Sequence, residues 1–198
     1  MDPRRNPFAP GAGTPPPELA GRDALIERVA IALDRIRAGR AAQSVILYGL
    51  RGVGKTVLLA AMRQAAEHAG LTVIAIEAPE QRSLPAVLAP ALRSALLRLD
   101  RLKGAGDKAR RALKALAGFV KLRATYGDLT IVIDHEAEPG LADSGDLEAD
   151  LTDLVRTVGE AARERDTAAV LFVDELQYVP EEQLAALIVA LHAANQNQ

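Results

Sequence analysis

Apolar positions along this chain follow two periods, helical and extended, and the two alternate. Over residues 23–38, Leu25, Ile26, Val29, Leu33 and Ile36 fall on one helical face, and Gly39 stops the pattern. Ser44-Val45-Ile46-Leu47-Tyr48 is a short β-rich apolar run and predicts a strand. The helical period returns at Val57 and runs to Gly70, a candidate C-cap. Thr72-Val73-Ile74-Ala75-Ile76 predicts a second buried strand. Ser83 then stands where it would cap a helix carrying Leu84, Val87, Leu88, Ala91, Leu92 and Leu96, with a kink expected at Pro90.

The second half repeats the alternation. A glycine-containing turn over 103–107 leads into a helix ending near Arg123, and the β-branched run over 130–133 predicts another strand. An acidic loop, a helix over 147–165, the continuous apolar segment 168–173 and a last helix from Pro180 complete the chain. Strands that alternate with helices imply an α/β fold with a mostly parallel sheet flanked by crossover helices. The Pro- and Gly-rich stretch 1–17 has no apolar core and reads as a flexible arm, leaving 18–198 as one domain.

Between the first strand and the next helix lies Gly49-Leu50-Arg51-Gly52-Val53-Gly54-Lys55-Thr56, a match to G-x-x-x-x-G-K-[ST] at every fixed position. Glycines there permit backbone angles at which successive N–H groups point inward at the positive end of a helix, which is how a chain cradles phosphate. Lys55 would then act as a point charge on the β- and γ-phosphates, and the Thr56 hydroxyl would be a Mg²⁺ ligand. A second acidic element is needed. The segment 168–173 supplies it by ending in Asp174-Glu175, where Asp174 would hold the metal and Glu175 could polarise the attacking water. The rival run ending in Asp134-His135-Glu136 is embedded in a generally acidic stretch, so a carboxylate there carries less information.

These two motifs, together with Pro17-Glu18-Leu19-Ala20-Gly21-Arg22-Asp23, resemble the ATPase module of the AAA+ class of P-loop NTPases, in particular the branch similar to origin-recognition and STAND signalling ATPases. The resemblance implies ATP and Mg²⁺ as cofactors, and it places Leu19, Ala20, Gly21 and Arg22 near the adenine. It also implies a five-strand order whose fourth strand lies between the phosphate-loop strand and the one ending at Asp174. The sequence stops at Gln198, where that strand would begin, so the expectation is an incomplete module lacking C-terminal strands and lid. Such a piece should form the phosphate site and turn over poorly.

Composition narrows the alternatives. With 49% apolar residues among 198, the chain can bury a sizeable core, and a net charge of -2 gives no overall grip on nucleic acid. Absence of cysteine excludes thiol chemistry and suits a reducing cytoplasm. The apolar stretch 184–194 is too short to span a bilayer. Residues 101–123 hold eight basic side chains against Asp107 alone, while 126–153 have no Lys or Arg; the two blocks should solvate the surface and pair with each other. Asp143, Asp146, Glu148 and Asp150 miss calcium-loop spacing, and His68, His135 and His192 are too scattered for zinc.

No Asn-Lys-x-Asp guanine-reading motif occurs, and Asp143-Ser144-Gly145-Asp146 is not the signature of an ABC-type ATPase. Small-molecule phosphoryl transfer stays open, though adjacent Asp174 and Glu175 suit water activation better. Three classes therefore remain: an ATPase motor acting as a homo-oligomer, a nucleotide-dependent switch, and a DNA-associated initiator whose contacts to DNA or a protein client would lie further downstream.

Overall fold

The computed structural model describes residues 21–50, 52–78, 80–101, 106–125 and 135–196. In these, the two periods of the sequence become six helices and two strands: α1 (Asp23–Arg37), α2 (Lys55–His68), β1 (Thr72–Glu77), α3 (Leu84–Arg101), α4 (Asp107–Thr125), α5 (Leu147–Arg163), β2 (Ala169–Asp174) and α6 (Glu181–Gln196). A single 3₁₀ turn, Leu176–Tyr178, links β2 to α6. The arm 1–17, Leu19, Arg51 and the run 130–133 fall outside the described residues.

β1 and β2 lie parallel and in register from Thr72 opposite Ala169 to Glu77 opposite Asp174. Backbone bonds Thr72 N to Ala168 O (2.9 Å) and Ala78 N to Asp174 O (3.1 Å) close the two ends of the ladder. Because neighbouring side chains point to opposite faces, each strand feeds two cores. Ile74 and Ile76, with Leu171 and Val173, join the larger core, built from α3, α4, α5 and α6. Val73, Val170 and Phe172 face a smaller cluster with Val29 and Leu33 of α1 and Leu58, Met62 and Ala66 of α2.

The segment 44–48 is not a strand. Among the described residues it has no ladder partner; Val45, Ile46 and Tyr48 are exposed at 37%, 65% and 93%, while Leu47 alone of the run reaches the smaller cluster. An apolar run becomes a strand only where another backbone offers donors and acceptors. Among the described residues β2 pairs with β1 alone, so the sheet has two strands where a larger one was expected. The outer edge of β1 is partly closed by Arg98 of α3, whose Nη2 donates to Val73 O at 2.9 Å.

Helix ends follow local chemistry in some places and distant partners in others. α2 closes with Gly70 at φ +76 and with Leu71 N donating to Ala66 O and Gly70 N to Glu67 O, a Schellman motif. Asp146 caps α5 by accepting from Ala149 N at 3.0 Å. At α3 the expected cap is wrong: the Ser83 hydroxyl is buried without a partner, and Gln183 Oε1 of α6 takes the Leu84 N–H at 2.7 Å. Pro90 lies inside α3 and cannot donate to Ala86 O; Arg82 Nη2 reaches that carbonyl at 3.3 Å.

The basic block pairs with the acidic one through Arg111–Glu138 and Arg123–Asp150, and with carboxylates outside that block through Lys108 and Arg110. Lys108–Glu160, Arg110–Asp100, Arg111–Glu138 and Arg123–Asp150 pin α4 to its neighbours. Asp150 is 1% exposed and accepts from Ser144 N, Ser144 Oγ and Gly145 N as well as Arg123. That carboxylate organises the loop before α5.

Candidate phosphate site

The loop between 49 and 55 owes its shape to glycine. Gly49, Gly52 and Gly54 have φ of +153, +83 and +83, angles that cost a side-chain-bearing residue about 1–2 kcal/mol. At Gly52 and Gly54 the direction of a missing Cβ opens onto free space, with nothing within 4 Å, so backbone conformation and not crowding demands these residues. Gly54, at φ +83 and ψ +24, is the N-cap of α2, and its carbonyl accepts from Leu58 N at 3.0 Å. The first N–H groups of α2 have no carbonyl within the helix to bond, and their dipoles add up to a positive end.

Lys55 is held at this loop. Its Nζ donates to Gly49 O at 3.0 Å and to Leu50 O at 2.8 Å, so the ammonium lies beside the backbone it would share with a phosphate. Thr56, the second residue of α2, is exposed. From the start of α1, Arg22 Nη2 donates to Val53 O at 3.0 Å, which ties the segment before α1 to the loop.

The topology brings a carboxylate to the same end of the sheet. Leu71, Thr72 and Thr167 gather the C-terminus of α2 at the amino ends of both strands, with Thr167 Oγ1 donating to Gly70 O at 2.8 Å. From there α2 runs back along the sheet, and Leu58, Met62 and Ala66 bury against the face that carries Phe172. A 14-residue helix is about 21 Å long and a six-residue strand about 20 Å, so α2, starting from the amino ends, has the length to carry its own amino end toward the carboxyl ends of β1 and β2. Asp174 ends β2 on the Phe172 face, two residues along, and that is the face α2 covers.

Glu175 follows in a left-handed conformation, φ +54 and ψ +39, rare for a residue with a side chain. Its N–H donates to Asp174 Oδ1 at 2.9 Å, and Gln177 Nε2 donates to Glu175 Oε2. The sharp turn sends Asp174 and Glu175 in different directions. Asp174 and Glu175 stand at the end of β2 where the sequence put them, while the contact of Gln177 with Glu175 is marked by no period or motif. The contact of Arg22 with the loop, which spans 31 positions, likewise leaves no local signal.

Oxygen donors at Thr56 and Asp174, a lysine and a positive-φ glycine cradle are a set that fits a triphosphate with a hard divalent cation. No helix among the described residues is long and apolar enough to cross a membrane. Searches of curated proteins and of solved structures give no match to the chain. A family model described as AAA ATPase domain matches residues 18–198. A match of that extent, with the glycine loop formed at the head of α2, means that the chain belongs to the AAA ATPase domain family of nucleotide-binding P-loop proteins.

Proposed function

We propose that this domain binds ATP with Mg²⁺ between the 49–56 loop and the carboxyl end of β2, and that the protein containing it hydrolyses the γ-phosphate, in a branch similar to origin-recognition and STAND ATPases. The observation that carries the reading is the convergence of the α2 N-terminus and Asp174 on one end of the sheet. Gly49, Leu50, Arg51, Gly52, Val53 and Gly54 would cradle the phosphates, Lys55 would carry the positive charge, and Thr56 and Asp174 would hold the cation. Leu19, Gly21 and Arg22 would flank the base.

Bound Mg²⁺ would neutralise phosphate charge. Glu175 would take the proton of the attacking water at Oε1, since Oε2 already accepts from Gln177. A base restrained by a hydrogen bond and a left-handed backbone favours slow turnover, which supports the switch reading beside the motor reading. Among the described residues neither the far edge of β2 nor the 44–48 segment has a strand partner, which supports a further proposal, that a strand from outside these residues completes the sheet between them.

Phosphate release and ATP binding by wild type, Lys55→Ala and Glu175→Gln test the assignment. Lys55→Ala should lose binding, while Glu175→Gln should bind normally and lose turnover. Turnover unchanged in Glu175→Gln removes Glu175 as the base; binding unchanged in Lys55→Ala removes the site.

A further inference from the structure

We propose that Arg22 is a positioning residue for the phosphate cradle: by holding Val53 O, it fixes the Gly54 N–H in the orientation that receives an anion. The inference rests on the nucleotide reading above and adds to it a role distinct from contact with the base.

The backbone of Arg22 is anchored, because its carbonyl accepts from both Leu25 N and Ile26 N at 3.0 Å in the first turn of α1. The guanidinium therefore reaches the loop from a fixed point and meets Val53 O at 3.0 Å. Within one trans peptide unit the C=O and the N–H point in opposite directions. Holding Val53 O toward α1 thus turns the Gly54 N–H away from α1, at the end of α2 where the helix presents its free donors.

Glycine makes this restraint necessary. Gly52 and Gly54 adopt positive φ at little cost, and the Val53–Gly54 peptide can rotate as a unit through compensating changes at its two flanks, as the central peptide does between type I and type II turns. One orientation offers a donor to a phosphate oxygen; the other offers a carbonyl lone pair and repels it. Arg22 biases that choice from outside the loop.

The test titrates full-length chain with ATP, GTP and inorganic triphosphate, comparing wild type with Arg22→Ala and Arg22→Lys of equal thermal stability. Arg22→Ala should weaken ATP and inorganic triphosphate together by about tenfold, the size expected for losing a charge-assisted hydrogen bond that orients a donor. The ATP-to-GTP preference should stay constant, Arg22→Lys should recover most of the loss, and the loss should persist at about 0.5 M salt, where an unpaired surface charge is screened. With glycine-specific ¹⁵N labelling and both proteins saturated with triphosphate, the Gly54 amide should shift less in Arg22→Ala than in wild type. Unchanged triphosphate affinity, a loss confined to ATP, or a loss that disappears in high salt would each overturn the proposal. Wild-type chain that binds neither ATP nor triphosphate rejects the nucleotide reading itself and this inference with it.

Discussion

Replacing Gly54 with alanine separates the conformational requirement of the loop from every other property of the residue. A Cβ built at Gly54 meets nothing within 4 Å, so the substitution introduces no clash. What remains is the cost of holding alanine at φ +83, about 1–2 kcal/mol. If nucleotide binding needs that conformation, the cost is drawn from the binding free energy, and affinity should fall about 5- to 30-fold. Gly70→Ala is the matched control. Its φ is +76, its Cβ direction is also empty, and it lies in the Schellman turn at the far end of the same helix. Gly70→Ala should lower the melting temperature by about 2–4 °C per kcal/mol and leave the affinity of folded protein unchanged. Isothermal titration with ATP, read beside thermal denaturation, gives both quantities. Equal affinity in Gly54→Ala and wild type, or an equal loss in both variants, would refute the assignment of the loop.

Two further outcomes concern the scaffold. The Lys108 ammonium, bonded to Glu160 at 2.9 Å, holds that carboxyl below the usual carboxylate range, helped by the charges of Lys108, Arg156 and Arg111 against partial burial. A group whose folded pKa is depressed contributes stability above its unfolded value and loses it as pH falls through the folded one. Glu160→Gln should therefore cost up to about 1 kcal/mol at neutral pH and nothing in acid below the carboxylate range, measured by urea denaturation at both. Asp150→Ala should cost about 3–5 kcal/mol, since it strands Arg123, which is 15% exposed, and frees the Ser144 and Gly145 amides. A loss below about 1 kcal/mol in urea melts would show that this carboxylate does not organise the loop.

Where local chemistry decides, the chain could be read in advance. Helical period placed all six helices, the Schellman glycine ended α2, and the segment running into Asp174 became β2. Residues 44–48 and 72–76 carry the same kind of apolar run, yet only the second is a strand, because among the described residues only it meets a partner backbone. Pairing is a property of two segments, and no pattern within one of them encodes it. Ser83 is not a side-chain cap: the second helical residue is Pro85, which has no amide to offer it, and the Leu84 amide goes to Gln183, 99 positions away. The glycine turn at the head of α2 was legible because glycine conformation and helix polarity act within eight residues. Its coupling to Arg22 was not, because that contact depends on where α1 packs.

The two cores divide the labour between folding and binding. The larger one joins α3, α4, α5 and α6 through fully buried Leu88, Leu96, Leu113, Leu116, Phe119, Leu151 and Leu154, and contains no residue of the phosphate loop. The smaller one holds α1 and α2 to the sheet through seven buried side chains, and the loop hangs between those two helices. Burial at about 25 cal/mol per Å² makes the larger core the main source of stability, so the elements bearing Arg22, Lys55 and Thr56 occupy the less strongly held part of the molecule. Asp174 and Glu175 stand at the seam, since Phe172 packs on the small core and Val173 and Leu176 on the large one. A ligand gripped by both sides must draw the smaller unit onto the larger. On the proposed nucleotide reading, binding energy would tighten α1 and α2 against the larger core, and thermal denaturation with and without ATP would show it as a ligand-dependent rise in melting temperature.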